Sequence, residues 1–128
     1  MKTYLLHKAT IVTAAKEAAG SVIVSGGKIA DILYCEDDGF DYKIEMAAER
    51  YPDMETIVLE GKHLMAGGIE AHVHFREPGF LQKENIATGS AAAAHGGYTT
   101  VCTMPNLNPT PDTLEHLEVQ LKAIRETA

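Results

Sequence analysis

The spacing of apolar residues divides the chain into a strand-rich first half and a second half in which strands alternate with helices. Short runs of apolar and β-branched residues predict strands over residues 4–6, 10–13, 21–24, 28–33 and 56–59. Gly26-Gly27 predicts a hairpin turn between two of these strands. Residues 41–50 predict a short helix that ends before Tyr51-Pro52, since a residue that precedes proline disfavours helical geometry.

From Leu64 onward the pattern changes. It predicts a strand from Leu64 through His74, a helix over residues 84–95 with Gly96 as its stop, and a strand over residues 98–104. That last run is almost entirely apolar or β-branched, which is typical of a strand buried on both faces. Asp112, with Glu115 three residues later, predicts the cap of a final amphipathic helix.

The order strand-helix-strand-helix predicts an α/β fold with right-handed connections and a parallel sheet. Two loops, residues 76–82 and 105–111, follow the carboxyl ends of the two predicted strands. Parallel sheets and (β/α)8 barrels build their sites at that end. The positions of the two loops therefore support each other as candidates for a site.

Composition narrows the class of protein. The 128 residues carry a net charge of −7 and no basic cluster, which argues against nucleic-acid binding. No apolar run approaches the length of a membrane span, and the first residues lack the layout of a signal peptide. Cys35 and Cys102 are far apart, which favours two buried, reduced thiols in a cytoplasmic protein.

The most informative stretch is His72-Val73-His74-Phe75-Arg76. Side chains on a strand alternate between faces, so His72 and His74 point the same way and can hold one metal ion. Arg76 lies on that face as well if the extended geometry persists, and its guanidinium can pair with a carboxylate. A metal beside a carboxylate anchor indicates hydrolysis of a small anionic substrate. The other histidines are interpreted as solvated or structural: His7, His63, His95 and His116.

The run from Gly68 to Gly79, Gly-Ile-Glu-Ala-His-Val-His-Phe-Arg-Glu-Pro-Gly, resembles the motif of the dihydroorotases, which are cyclic amidohydrolases. Lys83-Glu84, Ala87-Thr88-Gly89-Ser90, Gly96-Gly97, Thr99-Thr100-Val101 and Met104-Pro105-Asn106 continue the resemblance in order, over about residues 64–113. Allantoinase-like relatives usually carry Asn at the position of Arg76, and hydantoinase-like relatives lack the Arg-Glu-Pro-Gly run.

The resemblance implies a (β/α)8 barrel preceded by strands of a small β-sandwich, here residues 64–128 and 1–63. It implies reversible, zinc-dependent cyclisation of N-carbamoyl-L-aspartate to dihydroorotate, with one or two Zn²⁺ ions per complete site. His72 and His74 would be metal ligands, and Arg76 and Asn106 would hold the substrate carboxylate. Homo-oligomerisation and association with aspartate transcarbamoylase are left open.

Three departures from the family pattern are visible. Ala66 replaces a proline, Glu70 replaces an aspartate, and Leu81-Gln82 replaces Thr-His. Glu70 is the one that bears on the metal, because its longer side chain is expected to alter a hydrogen bond that supports the histidines. None of the three removes a matched ligand.

A (β/α)8 barrel takes about 250 residues, and the span from Leu64 supplies two of its βα units. Two histidines also leave a catalytic zinc short of its usual three protein ligands. We therefore expect an N-terminal fragment, inactive by itself, with the catalytic residue and remaining ligands on later strands. The alternatives are an allantoinase- or hydantoinase-like enzyme and a catalytically dead dihydroorotase-like partner protein, with a small stand-alone β-rich binding module as a third reading that the unpaired βα units argue against.

Overall fold

The computed structural model describes residues 2–128, which form two compact units, one up to Ala66 and one of Gly67–Ala128. The boundary lies slightly after the predicted one between residues 63 and 64. The reason is a short strand, His63–Leu64, whose residues pair with Thr10 and Ile11 and so belong to the first unit.

The first unit is a five-stranded sheet with one helix. Its elements are β1 (Thr3–Val12), β2 (Glu17–Ser25), β3 (Lys28–Tyr34), α1 (Phe40–Arg50), β4 (Glu55–Val58) and β5 (His63–Leu64). The strand order is β3-β2-β1-β4, with β5 also beside β1. The three long strands are antiparallel, whereas β4 and β5 run parallel to β1.

The core of this unit lies between the sheet and α1. Leu5, Ile23 and Leu33 come from three neighbouring strands and pack with Ala47 of the helix. Their burial follows from strand alternation, because β1 buries every second residue at its start. The helix predicted over residues 41–50 is confirmed as α1.

The hairpin between β2 and β3 is also confirmed. Ser25 pairs with Lys28, which leaves Gly26 and Gly27 as the two loop residues, at φ 59° and 76°. Two-residue hairpins of this kind need positive φ at both central positions, and glycine adopts it without a steric penalty.

The second unit consists of β6 (Gly68–Val73), α2 (Ile86–His95), β7 (Tyr98–Thr103) and α3 (Leu114–Thr127). Strands β6 and β7 pair in parallel, as predicted. The single strand predicted from Leu64 through His74 is wrong: it is split into β5 and β6, and Met65, Ala66 and Gly67 lie between them outside any strand. His74 falls just beyond the end of β6.

The helix starts differ from expectation in two respects: α2 begins at Ile86 instead of residue 84, and α3 has a different cap. The Asn85 side chain caps α2 by accepting a hydrogen bond from the Thr88 N–H. Thr113, rather than the predicted Asp112, caps α3, since its hydroxyl accepts from the His116 N–H. The Asp112 carboxylate is occupied elsewhere, at 2.8 Å from Nδ1 of the His116 ring.

Two burial predictions are wrong. Strand β7 is mostly exposed instead of buried on both faces, because among residues 2–128 it pairs with β6 alone. Cys102 lies on this strand and is exposed, and so is Cys35, which follows the end of β3 in a turn. Both thiols are free. Across residues 2–128, every helix falls short of the length and apolarity needed to traverse a bilayer.

Candidate metal and carboxylate site

His72 and His74 lie side by side at the carboxyl end of β6. Their ring centroids are 5.2 Å apart and the ring planes are inclined by 71°. Both residues are exposed, so solvent and small solutes reach the imidazole nitrogens. The structure thus brings together the two side chains that the sequence predicted to share a face.

Asn106 approaches this pair from the loop after β7. Its Oδ1 is 3.0 Å from Nδ1 of His74. An amide oxygen can only accept a hydrogen bond, so Nδ1 of His74 is the donor in this contact, and in the neutral ring Nε2 then keeps its lone pair. No local sequence pattern indicates this contact, because the two residues are 32 positions apart.

Glu70 supports the same segment through the backbone. Its Oε1 accepts a hydrogen bond of 3.0 Å from the N–H of His72. The longer side chain therefore fixes the main chain at the end of β6, instead of bonding to either histidine ring. That arrangement holds the backbone at His72, from which the first of the two imidazoles projects.

Arg76 does not continue the strand alternation. Its φ is 60°, in the left-handed region, so the extended geometry that would put it on the face of the histidines ends before it. The Phe80 N–H donates to the Arg76 carbonyl at 2.9 Å, which closes a turn at this point. A non-glycine residue held in this region is strained, and such strain is common at functional sites.

The acidic residues near Arg76 in the sequence are bound to other groups. Glu77 accepts from the Ile86 N–H at 2.8 Å, and Glu84 accepts from the Asn85 N–H at 2.9 Å and from the Thr88 hydroxyl. The Thr88 hydroxyl and then the Asn85 N–H lower the pKa of the Glu84 carboxyl. Within residues 2–128 Arg76 forms no salt bridge, so its guanidinium remains available for an external carboxylate.

The two loops that follow β6 and β7 are in contact. The Asn108 N–H donates to the Pro78 carbonyl at 3.1 Å, and Gly79 packs against Asn108 with φ 101°. Each loop contains one cis peptide bond before proline, at Glu77-Pro78 and Asn108-Pro109. The hydrogen bond between the two loops links the segment that carries Arg76 to the segment that carries Asn106.

The other histidines have contacts outside this site. His7 bonds to Ser21 at 2.9 Å, His63 lies 3.5 Å from Glu17, and His116 bonds to Asp112. His95 ends α2 and is exposed. These contacts agree with the structural or solvated interpretation.

The site fits part of a zinc centre. Two imidazoles are suitable ligands, and the Asn106 oxygen on Nδ1 of His74 is the kind of partner that orients a ligating histidine. Within residues 2–128 no group of three or more His, Cys, Asp or Glu side chains is placed to hold a metal ion. The two imidazoles are therefore one short of the three protein ligands that a catalytic zinc usually has.

The sequence of this chain is similar to those of one protein family and of several proteins from bacteria. The family described as "Dihydro-orotase-like" matches residues 61–128. A dihydroorotase of Fusobacterium nucleatum is 50% identical over 88 residues, which are 67% of this chain and 21% of that protein. A dihydroorotase of Bacillus cytotoxicus is 42% identical over 125 residues, 98% of this chain and 25% of that protein.

Among solved structures, the L-hydantoinase (dihydropyrimidinase) of Arthrobacter aurescens matches with a TM-score of 0.75 and 25% identity, over 97% of this chain and 25% of that one. The α/β fold predicted from the sequence is therefore confirmed, since it matches part of the fold of this hydantoinase. The chain spans a quarter or less of the length of each of these three relatives.

Proposed function

The chain belongs to the dihydro-orotase-like family, and we propose that it contributes to a zinc-dependent dihydroorotase. The reaction is the reversible cyclisation of N-carbamoyl-L-aspartate to dihydroorotate, a cytoplasmic step of pyrimidine synthesis. In this proposal the first unit is part of a β-sandwich. The second unit is the first two βα units of a (β/α)8 barrel, and other segments supply the remaining ligands and the catalytic residue.

The observation that carries the proposal is the pairing of His72 and His74 at one strand end, followed in the chain by Arg76, which forms no salt bridge within residues 2–128. The rings are 5.2 Å apart at the carboxyl end of a parallel strand, where barrels of this class place their chemistry. A guanidinium without a salt-bridge partner in the described part of the chain suits a substrate that brings its own carboxylate.

Each residue has a distinct task. His72 and His74 hold zinc, which when bound supplies hydroxide at neutral pH and polarises a carbonyl. Arg76 captures the substrate carboxylate and fixes the ring relative to the histidines. Asn106 adds a second donor through its amide nitrogen, since its oxygen is directed at His74. Positioning of this kind lowers the barrier because the reacting groups are already aligned.

A second candidate is a hydantoinase-like cyclic amidohydrolase. It is favoured by the structural likeness, since the Arthrobacter aurescens hydantoinase matches 97% of this chain. Against it stand the higher identities to the dihydroorotases, 50% and 42%. Substrate choice separates the two candidates, because hydantoin has no carboxylate for Arg76 to bind.

The test is a parallel assay of the protein carrying this chain with dihydroorotate, hydantoin and allantoin. We expect turnover of dihydroorotate alone. Arg76→Asn should raise KM for dihydroorotate about 10- to 100-fold, since a hydrogen bond to a charged group contributes roughly 1.5–3 kcal/mol. Asparagine tolerates the left-handed φ of this position, so the loop should keep its conformation.

Arg125→Asn is the matched control, since it removes a guanidinium that is already paired with Glu118. Its KM should stay at the wild-type value. Turnover of hydantoin or allantoin in preference to dihydroorotate, or an unchanged KM in Arg76→Asn, would contradict the proposal.

A further inference from the structure

We propose that Asn106 is a positioning residue for the metal: it holds His74 in the tautomer that carries its proton on Nδ1 and directs Nε2 to the ion. This inference rests on the proposed function, because it concerns the same site. It adds a task to Asn106 that binding of the substrate carboxylate does not include.

The contact between His74 and Asn106 is a hydrogen bond with a defined donor. Nδ1 of His74 and Oδ1 of Asn106 are 3.0 Å apart, a normal hydrogen-bond distance. Since Oδ1 has no proton to give, the ring must donate. A neutral imidazole has one proton, so the other nitrogen, Nε2, is left with the lone pair that a metal requires.

The Asn106 side chain projects from a fixed segment of backbone. A hydrogen bond between two exposed side chains is weak when both can move, because water competes for each partner. Here the backbone on either side of Asn106 is tied down. Before it, the Met104 N–H donates to the Val73 carbonyl at 2.9 Å, and after it Leu107 is buried. The backbone that carries the Asn106 amide is therefore fixed near His74.

The neighbouring histidine, His72, differs from His74 in its ring contacts. The ring of His72 makes no hydrogen bond to another residue of the described chain, and its own contact to Glu70 is through the backbone. Only one of the two imidazoles thus has its tautomer set by a partner. His72 can serve as an internal reference in the same spectrum.

The oxygen and the nitrogen of the Asn106 amide have different roles in this proposal. The oxygen is directed at His74, and the nitrogen remains for a substrate carboxylate. Asn106→Asp keeps an acceptor oxygen and removes the donor. Asn106→Leu removes both while keeping a similar shape. The two variants therefore separate the positioning task from the substrate task.

The experiment combines ring-nitrogen NMR of the metal-free protein with zinc affinity measured by chelator competition. In the wild type we expect His74 protonated at Nδ1. In Asn106→Leu the form of His74 that is protonated at Nε2 should appear, while the ring-nitrogen signals of His72 should be unchanged. Zinc should bind to this variant about 10- to 100-fold more weakly. Asn106→Asp should keep the wild-type tautomer and zinc affinity within a few-fold, with a raised KM for dihydroorotate.

Two results would overturn the inference: His74 protonated at Nε2 in the wild type, or the same tautomer and zinc affinity in Asn106→Leu as in the wild type. Failure of the proposed function looks different. A wild type that neither binds zinc nor turns over dihydroorotate removes that function, while the tautomer of His74 in the metal-free protein still decides whether Asn106 sets it.

Discussion

Gly89 packs directly against the ring of Phe75. A Cβ built on Gly89 would lie 2.6 Å from Cε1 of Phe75, closer than van der Waals contact permits. Phe75 is only 9% exposed and stands between His74 and Arg76 in the chain. The absence of a side chain at Gly89 therefore lets α2 approach the segment that carries the candidate site.

The first prediction is that Gly89→Ala destabilises the protein. Alanine improves helix propensity by about 1 kcal/mol, but forcing an extra methyl into packed side chains costs about 1–3 kcal/mol. We expect the second effect to dominate and the free energy of unfolding to fall by about 1 kcal/mol. Urea denaturation followed by circular dichroism measures it.

Ser90→Ala is the matched control for this prediction. It lies in the same helix, and its hydroxyl donates to the Ala87 carbonyl of that helix. Its unfolding free energy should stay within about 0.5 kcal/mol of wild type. An increase in stability for Gly89→Ala would show that Phe75 moves aside without cost.

Sequence reasoning succeeded where the signal is local. The hairpin at Gly26-Gly27 and helix α1 follow from turn chemistry and apolar spacing, and both are present. It failed in β1, which it divided into two strands around the polar pair His7-Lys8. The structure keeps one strand with an irregularity there: Lys8 has φ 59° and its N–H bonds to the Ser21 hydroxyl.

The candidate site shows the same limit. The His-x-His spacing predicted two adjacent rings because alternation along a strand is a local rule. The left-handed turn at Arg76 was not predicted, since that conformation depends on contacts made after folding. Neither was the contact between Asn106 and His74, which joins segments after two different strands.

The second prediction concerns the contact between the two loops. Gly79 has φ 101°, and an added Cβ would lie 2.6 Å from the Asn108 side chain and 2.9 Å from its Cα. Gly79→Ala should therefore suffer both backbone strain and a clash, with a loss of about 2–4 kcal/mol in unfolding free energy. Thermal or urea denaturation measures the loss.

Gly97→Ala provides the comparison for this loop variant. Gly97 also has a positive φ, 80°, but a Cβ there would meet nothing within 4 Å. Gly97→Ala should lower the free energy of unfolding only by the cost of the backbone strain, about 1–2 kcal/mol. Equal losses in the two variants would mean that the loops are free to separate at Gly79.

The third prediction is a pH dependence at the start of α3. The Asp112 carboxylate raises the pKa of His116 above its ordinary value of 6.5, and the His116 ring lowers the pKa of Asp112 below 3.8. The stabilisation from His116 is present below 6.5 and lost as pH rises through its folded pKa. That from Asp112 is present above 3.8 and lost as pH falls through its folded pKa. The pair thus contributes most between about pH 4 and 6.5.

Substituting Asp112→Asn tests this dependence. The pKa of His116, followed by NMR of its ring protons, should fall towards 6.5, because the largest cause of its shift is removed. Glu115→Gln is the control, since Glu115 is the smallest of the causes and should change the titration little. An unaltered His116 titration in Asp112→Asn would refute the assignment.

The last prediction concerns Glu77, whose carboxylate accepts the N–H of Ile86, the first residue of α2, at 2.8 Å. Ile86 is 1% exposed, so without that partner its N–H has poor access to water. Glu77→Ala should lower the unfolding free energy by about 0.5–2 kcal/mol, as loss of a helix cap does. Glu77→Gln retains an acceptor and should lose less, the difference reflecting the charge near the helix N-terminus. Glu115→Ala, in the exposed first turn of α3, is the reference in the same denaturation experiment. If Glu77→Ala unfolds at the wild-type urea concentration, the start of α2 is held by Asn85 alone, and the loop that carries Arg76 is not coupled to the helix.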